Sequence, residues 1–316
     1  MKSFISVVTA CYNEEANVEE MYLQIKQVFE KLKTYKYEHI FIDNASKDRT
    51  VEILRAIAHK DKKVKVIVNA RNFGHIRSPY YGLLQGSGDA VIALASDLQD
   101  PPSLIPDFIR KWEEGYKIVV GVKSKSRENP VILAMRKLYY KLVGRLSDVE
   151  LIKNFTGFGL YDKKIVEILR DIDDPYPYFR GLICDIGFEH ARIEYTQPQR
   201  KHGITKNNFY TLYDLAMLGI TSHSKIPLRL AAMLGFFSSF VSLMVAMIYL
   251  VYKLVFWNSF SVGIAPMVIG VFFYASVQLF FIGIIGEYIG SIHTQVQKRP
   301  LVVEKERINF GRASGD

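Results

Sequence analysis

Cysteine is scarce in this chain of 316 residues, which contains only Cys11 and Cys184. Small secreted scaffolds that are held together by disulfides need more cysteines than this, so that class is excluded. We expect both thiols to be reduced packing residues in a cytosolic environment. No internal repeat or low-complexity tract is evident, and we expect no cleavable signal because Met1-Lys2 leads directly into an apolar run.

Charged side chains are absent from two long stretches, residues 230–252 and 254–286. A helix of about 20 apolar residues crosses a bilayer, so both stretches are long enough. The alternative is a pair of buried core helices. Two adjacent uncharged stretches rich in Phe, Ile, Leu and Val are hard to bury in a soluble domain of this size, and we therefore predict two membrane spans.

Basic residues flank the two predicted spans. Lys225 and Arg229 precede the first span, and Lys298 and Arg299 follow the second. Lys and Arg are retained on the cytoplasmic side of membrane proteins. We therefore expect a multi-pass membrane protein with both chain ends in the cytoplasm and the link at 257–263 facing outward.

The chain is basic overall, with 41 Lys and Arg against 32 Asp and Glu and a formal charge of +9. Such an excess is typical of proteins that bind nucleic acids or anionic membrane surfaces. The uncharged stretches favour the membrane, and we expect no nucleic-acid partner.

The first two hundred residues alternate between short β-rich runs and helical periodicity. Strands are predicted over 4–9, 39–43, 64–68, 90–95 and 116–122, and helices over 15–32 and 51–58. This alternation predicts an α/β domain with parallel pairing and a doubly wound sheet. We expect a domain over 1–225, a two-helix membrane anchor over 226–290 and a polar, charged tail over 291–316.

Two segments of the predicted domain are candidates for helices that lie on the membrane surface. Residues 136–146 alternate basic with aromatic or aliphatic side chains, and residues 207–222 carry aromatic side chains and lead into the first span. An ordinary amphipathic helix on the domain surface is an equally good interpretation of 136–146.

Oxygen-bearing side chains follow the apolar run 90–95. The sequence there reads Asp97-Leu98-Gln99-Asp100-Pro101-Pro102. Ligands of open α/β sheets bind at the carboxyl edge of the strands, and hard oxygen ligands suit Mg²⁺ or Mn²⁺ with substrate phosphates completing the shell. A solvated turn is the alternative, since acid-proline turns are common.

Several motifs together resemble the family-2 glycosyltransferases of the polyprenyl-phosphate type, which include dolichyl-phosphate mannose synthase and the bactoprenol glucosyltransferases. The resemblance covers nearly the whole chain. Its motifs are Ala10-Cys11-Tyr12-Asn13-Glu14-Glu15, Asp43-Asn44-Ala45-Ser46-Lys47-Asp48-Arg49-Thr50, Arg71-Asn72-Phe73-Gly74, Asp97-Leu98-Gln99-Asp100-Pro101-Pro102, Gly203-Ile204-Thr205-Lys206 and Gly286-Glu287-Tyr288-Ile289-Gly290.

The resemblance implies a GT-A catalytic domain and a division of labour among its residues. The residues implied to bind the donor are Ala10, Tyr12, Glu14, Asp43, Asn44, Arg71, Ser96 and Asp97. Asp97 and Gln99 would ligate Mg²⁺ or Mn²⁺, and His75, Lys123, Arg180, Arg200 and Lys206 would hold phosphate of the donor or acceptor. Asp97, Asp185 and Lys206 are the candidate catalytic residues.

The chain departs from the family pattern mainly in its carboxylates. The family's metal motif usually reads Asp-x-Asp, but here Ala95 takes the place of the first Asp. After the second predicted strand the family usually has a second acid, and this chain has Asn44 there. In a Gly-Asp-Phe-Arg stretch of the bactoprenol enzymes, Gly157 and Gly159 replace the Asp and the Arg. Ala10 stands where a proline is usual.

Three hypotheses explain these departures. The two glycines make room for a bulkier donor in an active enzyme, or the chain is a non-catalytic nucleotide-sugar-binding partner, or the acid has moved to Asp185, His75 or His202. We favour an active, inverting enzyme that transfers a sugar from a nucleotide donor, preferably a UDP-sugar, to undecaprenyl phosphate or a similar lipid. The resemblance also implies a location in a bacterial inner membrane and a product that serves the cell envelope. Paired spans in this family often associate, so we expect a homo-oligomer. A processive polysaccharide synthase is disfavoured because the Gln-x-x-Arg-Trp motif is missing.

Overall fold

The structure is a computed structural model that describes residues 3–125, 151–198, 217–219, 221, 224–256 and 264–311. The described strands are β1 (Phe4–Cys11), β2 (Lys36–Asp43), β3 (Val64–Asn69), β4 (Ala90–Ala95), β5 (Ile118–Lys125), β6 (Phe155–Asp162), β7 (His190–Thr196) and β8 (Glu304–Ile308). The described α-helices are α1 (Val18–Lys31), α2 (Thr50–Lys60), α3 (Gly74–Leu84), α4 (Ile105–Glu113), α5 (Lys163–Ile172), α6 (Phe179–Asp185), α7 (Ile226–Val255) and α8 (Ile264–Val296).

The described strands form one sheet in the order β7-β5-β6-β4-β1-β2-β3-β8. In the first half of the chain, β1 pairs in parallel with β2 and β4, and β2 pairs in parallel with β3, as predicted. Parallel pairing throughout was wrong, because β6 runs antiparallel between β4 and β5, and β8 runs antiparallel to β3. The prediction of an α/β domain with a doubly wound sheet is confirmed.

Helices cover both faces of the sheet. Apolar side chains of α1, α2 and α4, such as Met21, Leu54 and Phe108, pack on one face. Side chains of α3, α5 and α6, such as Tyr80 and Leu169, pack on the other. Helix α3 was not predicted, since Pro79 lies inside it and weakens its helical signal.

Helices α7 and α8 contain the two candidate membrane spans, 226–245 and 270–296. Only 6% and 0% of the two windows are buried inside the protein, so neither is a core helix of the domain. By length and composition both can cross a membrane. The predicted link at 257–263 and the predicted surface helix at 136–146 lie outside the described residues, and of 207–222 only 217–219 and 221 are described, as helical.

The segment predicted as a polar tail is partly ordered structure instead. Its first residues complete α8, and β8 then adds to the edge of the sheet, where Glu306 pairs with Arg55 at 2.5 Å. The Asn309 amide donates to the carbonyls of Ala58 and Val64 at 2.6 and 2.8 Å. Charged side chains are typical of edge strands, which is why this strand has the composition of a solvated tail. After α8, β8 therefore brings the chain back to the sheet of the domain.

Candidate functional site

A cavity of about 960 Å³ opens at the edge of the sheet where β1, β2 and β4 end and the antiparallel β6 begins. This is the edge at which open α/β sheets bind ligands. Nine of the predicted site residues line the cavity, namely Ala10, Tyr12, Glu14, Asn44, His75, Ser96, Asp97, Gln99 and Arg180. The sequence therefore predicted the position of the cavity and much of its wall.

The loop after β1, which carries Tyr12 and Glu14, is hydrogen-bonded to the loop after β2. The Asn13 backbone N–H donates to the Ser46 hydroxyl at 2.8 Å, and the Glu14 N–H donates to the Thr50 hydroxyl at 2.8 Å. In return, the Asn13 side-chain oxygen accepts from the Lys47 N–H at 2.7 Å. The two loops therefore fix one another.

Asp43 stabilises these contacts between the two loops without lining the cavity. It is fully buried and does not line the cavity. Its carboxylate accepts the Ser46 N–H at 2.9 Å and also the Ser46 hydroxyl. Burial raises the pKa of Asp43 despite these hydrogen bonds. Asp43 therefore holds Ser46, which in turn holds Asn13, and its contact with a donor stays a prediction.

The Asn44 side chain forms hydrogen bonds with the loop that follows β3. Its side-chain oxygen accepts from the Phe73 N–H at 2.8 Å and the Asn69 amide at 3.2 Å. Its amide donates to Asn72 Oδ1 and the Gly74 carbonyl, both at 3.0 Å. An asparagine side chain has two donor hydrogens and two acceptor lone pairs, and all are used. Asn44 therefore positions the loop that leads to His75, and its contact with a donor stays a prediction.

Asp97 and Gln99 bring carboxylate and amide oxygen to the middle of the cavity wall. Between them, Leu98 has a φ of +59°, and the Gln99 N–H donates to Asp97 Oδ1 at 3.1 Å. In the part of the chain that the structure describes, no group of three His, Cys, Asp or Glu side chains could hold a metal. The two oxygen donors nevertheless fit Mg²⁺ or Mn²⁺ that takes its other ligands from water and a diphosphate.

Asp100 is committed to the protein rather than to a metal. It is buried, its Oδ1 accepts the Tyr195 hydroxyl at 2.9 Å, and its Oδ2 accepts the Ala95 N–H at 3.4 Å. Burial raises the pKa of Asp100 against the effect of the Tyr195 hydrogen bond. Asp100 therefore ties the turn that carries Asp97 to strand β7, a role that sequence reasoning missed because Tyr195 is distant along the chain.

His75 and Arg180 form the cationic part of the wall. Arg180 lies in α6, and its guanidinium is 5.4 Å from the centre of the Tyr178 ring. Desolvation and the positive charge of Arg180 lower the pKa of His75, so its neutral form is favoured at pH 7. One full charge at Arg180 and a neutral imidazole therefore face the cavity.

Removing the Arg180 charge should raise the pKa of His75. Because the guanidinium penalises the imidazolium form, Arg180→Gln should move the pKa toward the ordinary value of 6.5. The measurement is an NMR titration of labelled histidine, with His75→Gln to assign the signal. Arg192→Gln, beside His190 on β7, is the matched control and should leave His75 unchanged. A His75 signal that titrates identically in Arg180→Gln would contradict this electrostatic contact.

The two glycines that replace the family's Asp and Arg differ in their surroundings. Gly157 lines the cavity at a φ of +106°, and a Cβ there would lie 3.6 Å from the Phe179 ring. At Gly159 a Cβ would lie 2.4 Å from the Val119 carbonyl oxygen. The expectation that Gly159 leaves room for a donor was therefore wrong, because the neighbouring strand fills that space. Extra room at Gly157 stays a prediction.

The other predicted residues lie elsewhere. Arg71 is exposed and outside the cavity lining, where it stacks on Phe73 with its guanidinium carbon 4.0 Å from the ring centre. Lys123 lies on β5 near Asp100, and Asp185 is exposed at the end of α6; neither lines the cavity. Arg200, His202 and Lys206 lie outside the described residues.

A family model described as "Glycosyl transferase family 2" matches residues 6–170, which contain most of the cavity wall. The chain belongs to glycosyl transferase family 2. It is therefore a member of a transferase family, and the GT-A architecture that the resemblance implied is confirmed by this membership and the described sheet.

Three relatives align over nearly the whole chain. The uncharacterized glycosyltransferase YkcC of Bacillus subtilis is 34% identical over 94% of this chain and 92% of its own length. The SfII prophage-derived bactoprenol glucosyl transferase of Shigella flexneri is 34% identical over 96% and 97% of the two chains. The prophage bactoprenol glucosyl transferase homolog of Escherichia coli is 32% identical over 95% and 98%.

Solved structures are more distant. The mannosyltransferase PcManGT from Pyrobaculum calidifontis in complex with GDP-Man and Mn²⁺ is 13% identical, covers 94% of this chain and 87% of its own, and has a TM-score of 0.48. The glucosyl-3-phosphoglycerate synthase from Mycobacterium tuberculosis in complex with UDP is 23% identical, covers 69% and 78%, and has a TM-score of 0.45.

Proposed function

We propose that this family-2 transferase is a membrane-anchored, inverting enzyme that moves a sugar from a UDP-sugar to undecaprenyl phosphate or a similar polyprenyl phosphate. The observation that carries the proposal is one cavity that combines three walls: a clasped loop with Tyr12 and Glu14, the oxygen pair Asp97 and Gln99, and Arg180 with its neighbouring imidazole. The relatives named as bactoprenol glucosyl transferases support a lipid acceptor.

The cavity lies close to the candidate spans, which supports a lipid acceptor. Asp174 begins the segment that leads to Tyr178 and Arg180 on the cavity wall, and its Oδ1 accepts from Gln295 of α8 at 2.8 Å. The Tyr288 hydroxyl of α8 donates to the Ser224 carbonyl just before α7 at 2.6 Å. Helix α8 is therefore fastened to the domain through Asp174 and to the start of α7 through Ser224. With the domain over 1–225 in the cytoplasm and the anchor over 226–290, this arrangement would bring the cavity to the plane of lipid phosphates.

The chemistry requires positioning more than proton transfer. A phosphate monoester is largely ionised at neutral pH, so the attacking oxygen needs no strong base. Arg180 would hold phosphate oxygens, and the wall with Tyr12 would orient the base of the donor. Asp97 and Gln99 would hold a divalent metal, which when bound neutralises charge on the departing nucleoside diphosphate. This division also explains how the enzyme would work without acids at Ala95 and Gly157.

A second candidate function follows from those two missing carboxylates. In that case the chain binds a nucleotide sugar beside the membrane without turnover, as a partner or regulatory subunit. Asp185 does not line the cavity, so among the described candidates for a relocated acid only His75 faces it. The two functions share the binding site and differ in turnover.

The nucleotide preference can be tested by calorimetry on the full chain in detergent. We expect UDP to bind at least about tenfold more tightly than GDP with Mn²⁺ present, a difference of about 1.4 kcal/mol. Omitting Mn²⁺ should weaken UDP binding, because a metal held by Asp97 and Gln99 would neutralise charge on the diphosphate. Equal affinities for UDP and GDP, or tighter binding of GDP, would contradict the choice of donor while leaving the acceptor open.

A further inference from the structure

Three arginines from separate segments meet beside the end of α8. Arg71 follows β3, Arg77 lies in α3 and Arg299 follows α8. The guanidinium carbons of Arg71 and Arg77 lie 4.0 and 5.3 Å from the centre of the Phe73 ring. Arg77 also donates to the carbonyl of Pro300, the residue after Arg299. We call Arg71, Arg77 and Arg299 the arginine cluster.

The positive charge of the cluster is not balanced within the described part of the chain. None of the three arginines forms an ion pair there, and Arg77 Nε is buried without a hydrogen-bond partner. Burial and the neighbouring charges of Arg71 and Arg299 lower the pKa of Arg77. Like charges held together repel, so a bound anion would stabilise this arrangement.

The position of the cluster indicates the source of that anion. Arg299 follows by three residues the end of the candidate span Gly270–Val296. Cations directly beyond a membrane helix lie at the level of lipid headgroups, where they are attracted to anionic lipids. None of the three arginines lines the cavity, so their side chains lie outside the candidate donor site.

We propose that the arginine cluster binds the phosphate of an anionic bilayer lipid and so fixes the domain against the membrane surface. The resemblance assigned Arg71 to donor binding, whereas this proposal gives it the phosphate of a bilayer lipid. Bidentate guanidinium groups suit phosphate oxygens, and the Phe73 ring holds two of them in place. The proposal rests on the part of the proposed function that places α7 and α8 in a membrane.

The test is the thermal stability of the full chain in a neutral detergent. The probes are short-chain phosphatidylglycerol, short-chain phosphatidylcholine and inorganic phosphate, all without donor or acceptor. We expect phosphatidylglycerol to raise the unfolding temperature and phosphatidylcholine to leave it unchanged. Arg71→Gln and Arg299→Gln, which change exposed side chains, should each reduce that rise, and the double variant should abolish it.

The control variant is Arg192→Gln, which removes the same charge from β7 at the opposite edge of the sheet and should retain the full rise. Equal stabilisation by the two lipids, or an undiminished rise in the double variant, would overturn the proposal. Stabilisation by inorganic phosphate alone would assign the cluster to a soluble anion and overturn the lipid. Because no sugar transfer is measured, failure here is distinguishable from failure of the proposed function.

Discussion

Replacing Asp97 with Asn should reduce metal-dependent sugar transfer at least about 10²-fold, the range that is typical of removing one electrostatic contact to a developing charge. Asp97 and Gln99 are the predicted metal ligands that line the cavity, and of this pair Asp97 carries the charge. Asp100 is less suited to this role, because the Tyr195 hydroxyl and the Ala95 N–H each bind one of its carboxylate oxygens and burial raises its pKa.

The Asp97→Asn variant is best measured twice, by initial rates and by Mn²⁺ binding in the presence of UDP. Asp107→Asn is the matched control, since Asp107 is an exposed carboxylate on α4 that pairs with Arg110. We expect the control to keep both properties, and Asp97→Asn to lose both. Unchanged Mn²⁺ binding in Asp97→Asn would remove this residue from the metal site, whatever happened to the rate.

Replacing Gly159 with Ala should destabilise the domain severely, by about 3 kcal/mol or more, at the upper end of the range for overpacked cores. A Cβ there would lie 2.4 Å from the Val119 carbonyl oxygen and 3.2 Å from the Tyr161 hydroxyl. A carbonyl within a β ladder cannot move aside without breaking the pairing of β5 with β6. The family's arginine at this position therefore cannot be restored in this chain.

The Gly159→Ala variant is measured by its unfolding temperature and its yield of folded protein. Gly311→Ala is the control, because nothing lies within 4 Å of a Cβ at that glycine. The control should unfold like the parent chain. A Gly159→Ala variant with parental stability would show that β5 and β6 can separate, and would reinstate Gly159 as a source of room for the donor.

The sequence predicted the first half of the sheet well, because β1 to β4 are apolar runs that each end in turn residues. It did not predict β6, whose glycines disguise a buried strand, or β8, whose charges resemble a solvated tail. Pairings between residues far apart in the chain have no local signal. The same reason explains why β8 was assigned to a tail although it completes the sheet.

The candidate site, like the sheet, was predictable from the sequence only in part. Residues directly after β1 and β4 were placed correctly at the cavity, since the carboxyl ends of parallel strands share an edge. The hydrogen bonds that Asp43 and Asn44 form inside the protein were not predictable. Only the structure shows that Asp43 binds Ser46 and that Asn44 binds the loop at 72–74. Arg71 follows β3 as expected, yet the ring of Phe73 and the neighbouring Arg77 turn it to another surface.

The most direct test of the central claim is sugar transfer by the purified full chain in detergent with Mn²⁺ and polyprenyl phosphate. A panel of labelled UDP-sugars would be offered, with the unphosphorylated polyprenol as the matched acceptor control. We expect one lipid-linked monosaccharide, released nucleoside diphosphate in equal amount, and no product on the polyprenol. Measurable binding of a nucleotide sugar without product from any donor would contradict turnover and favour the non-catalytic partner.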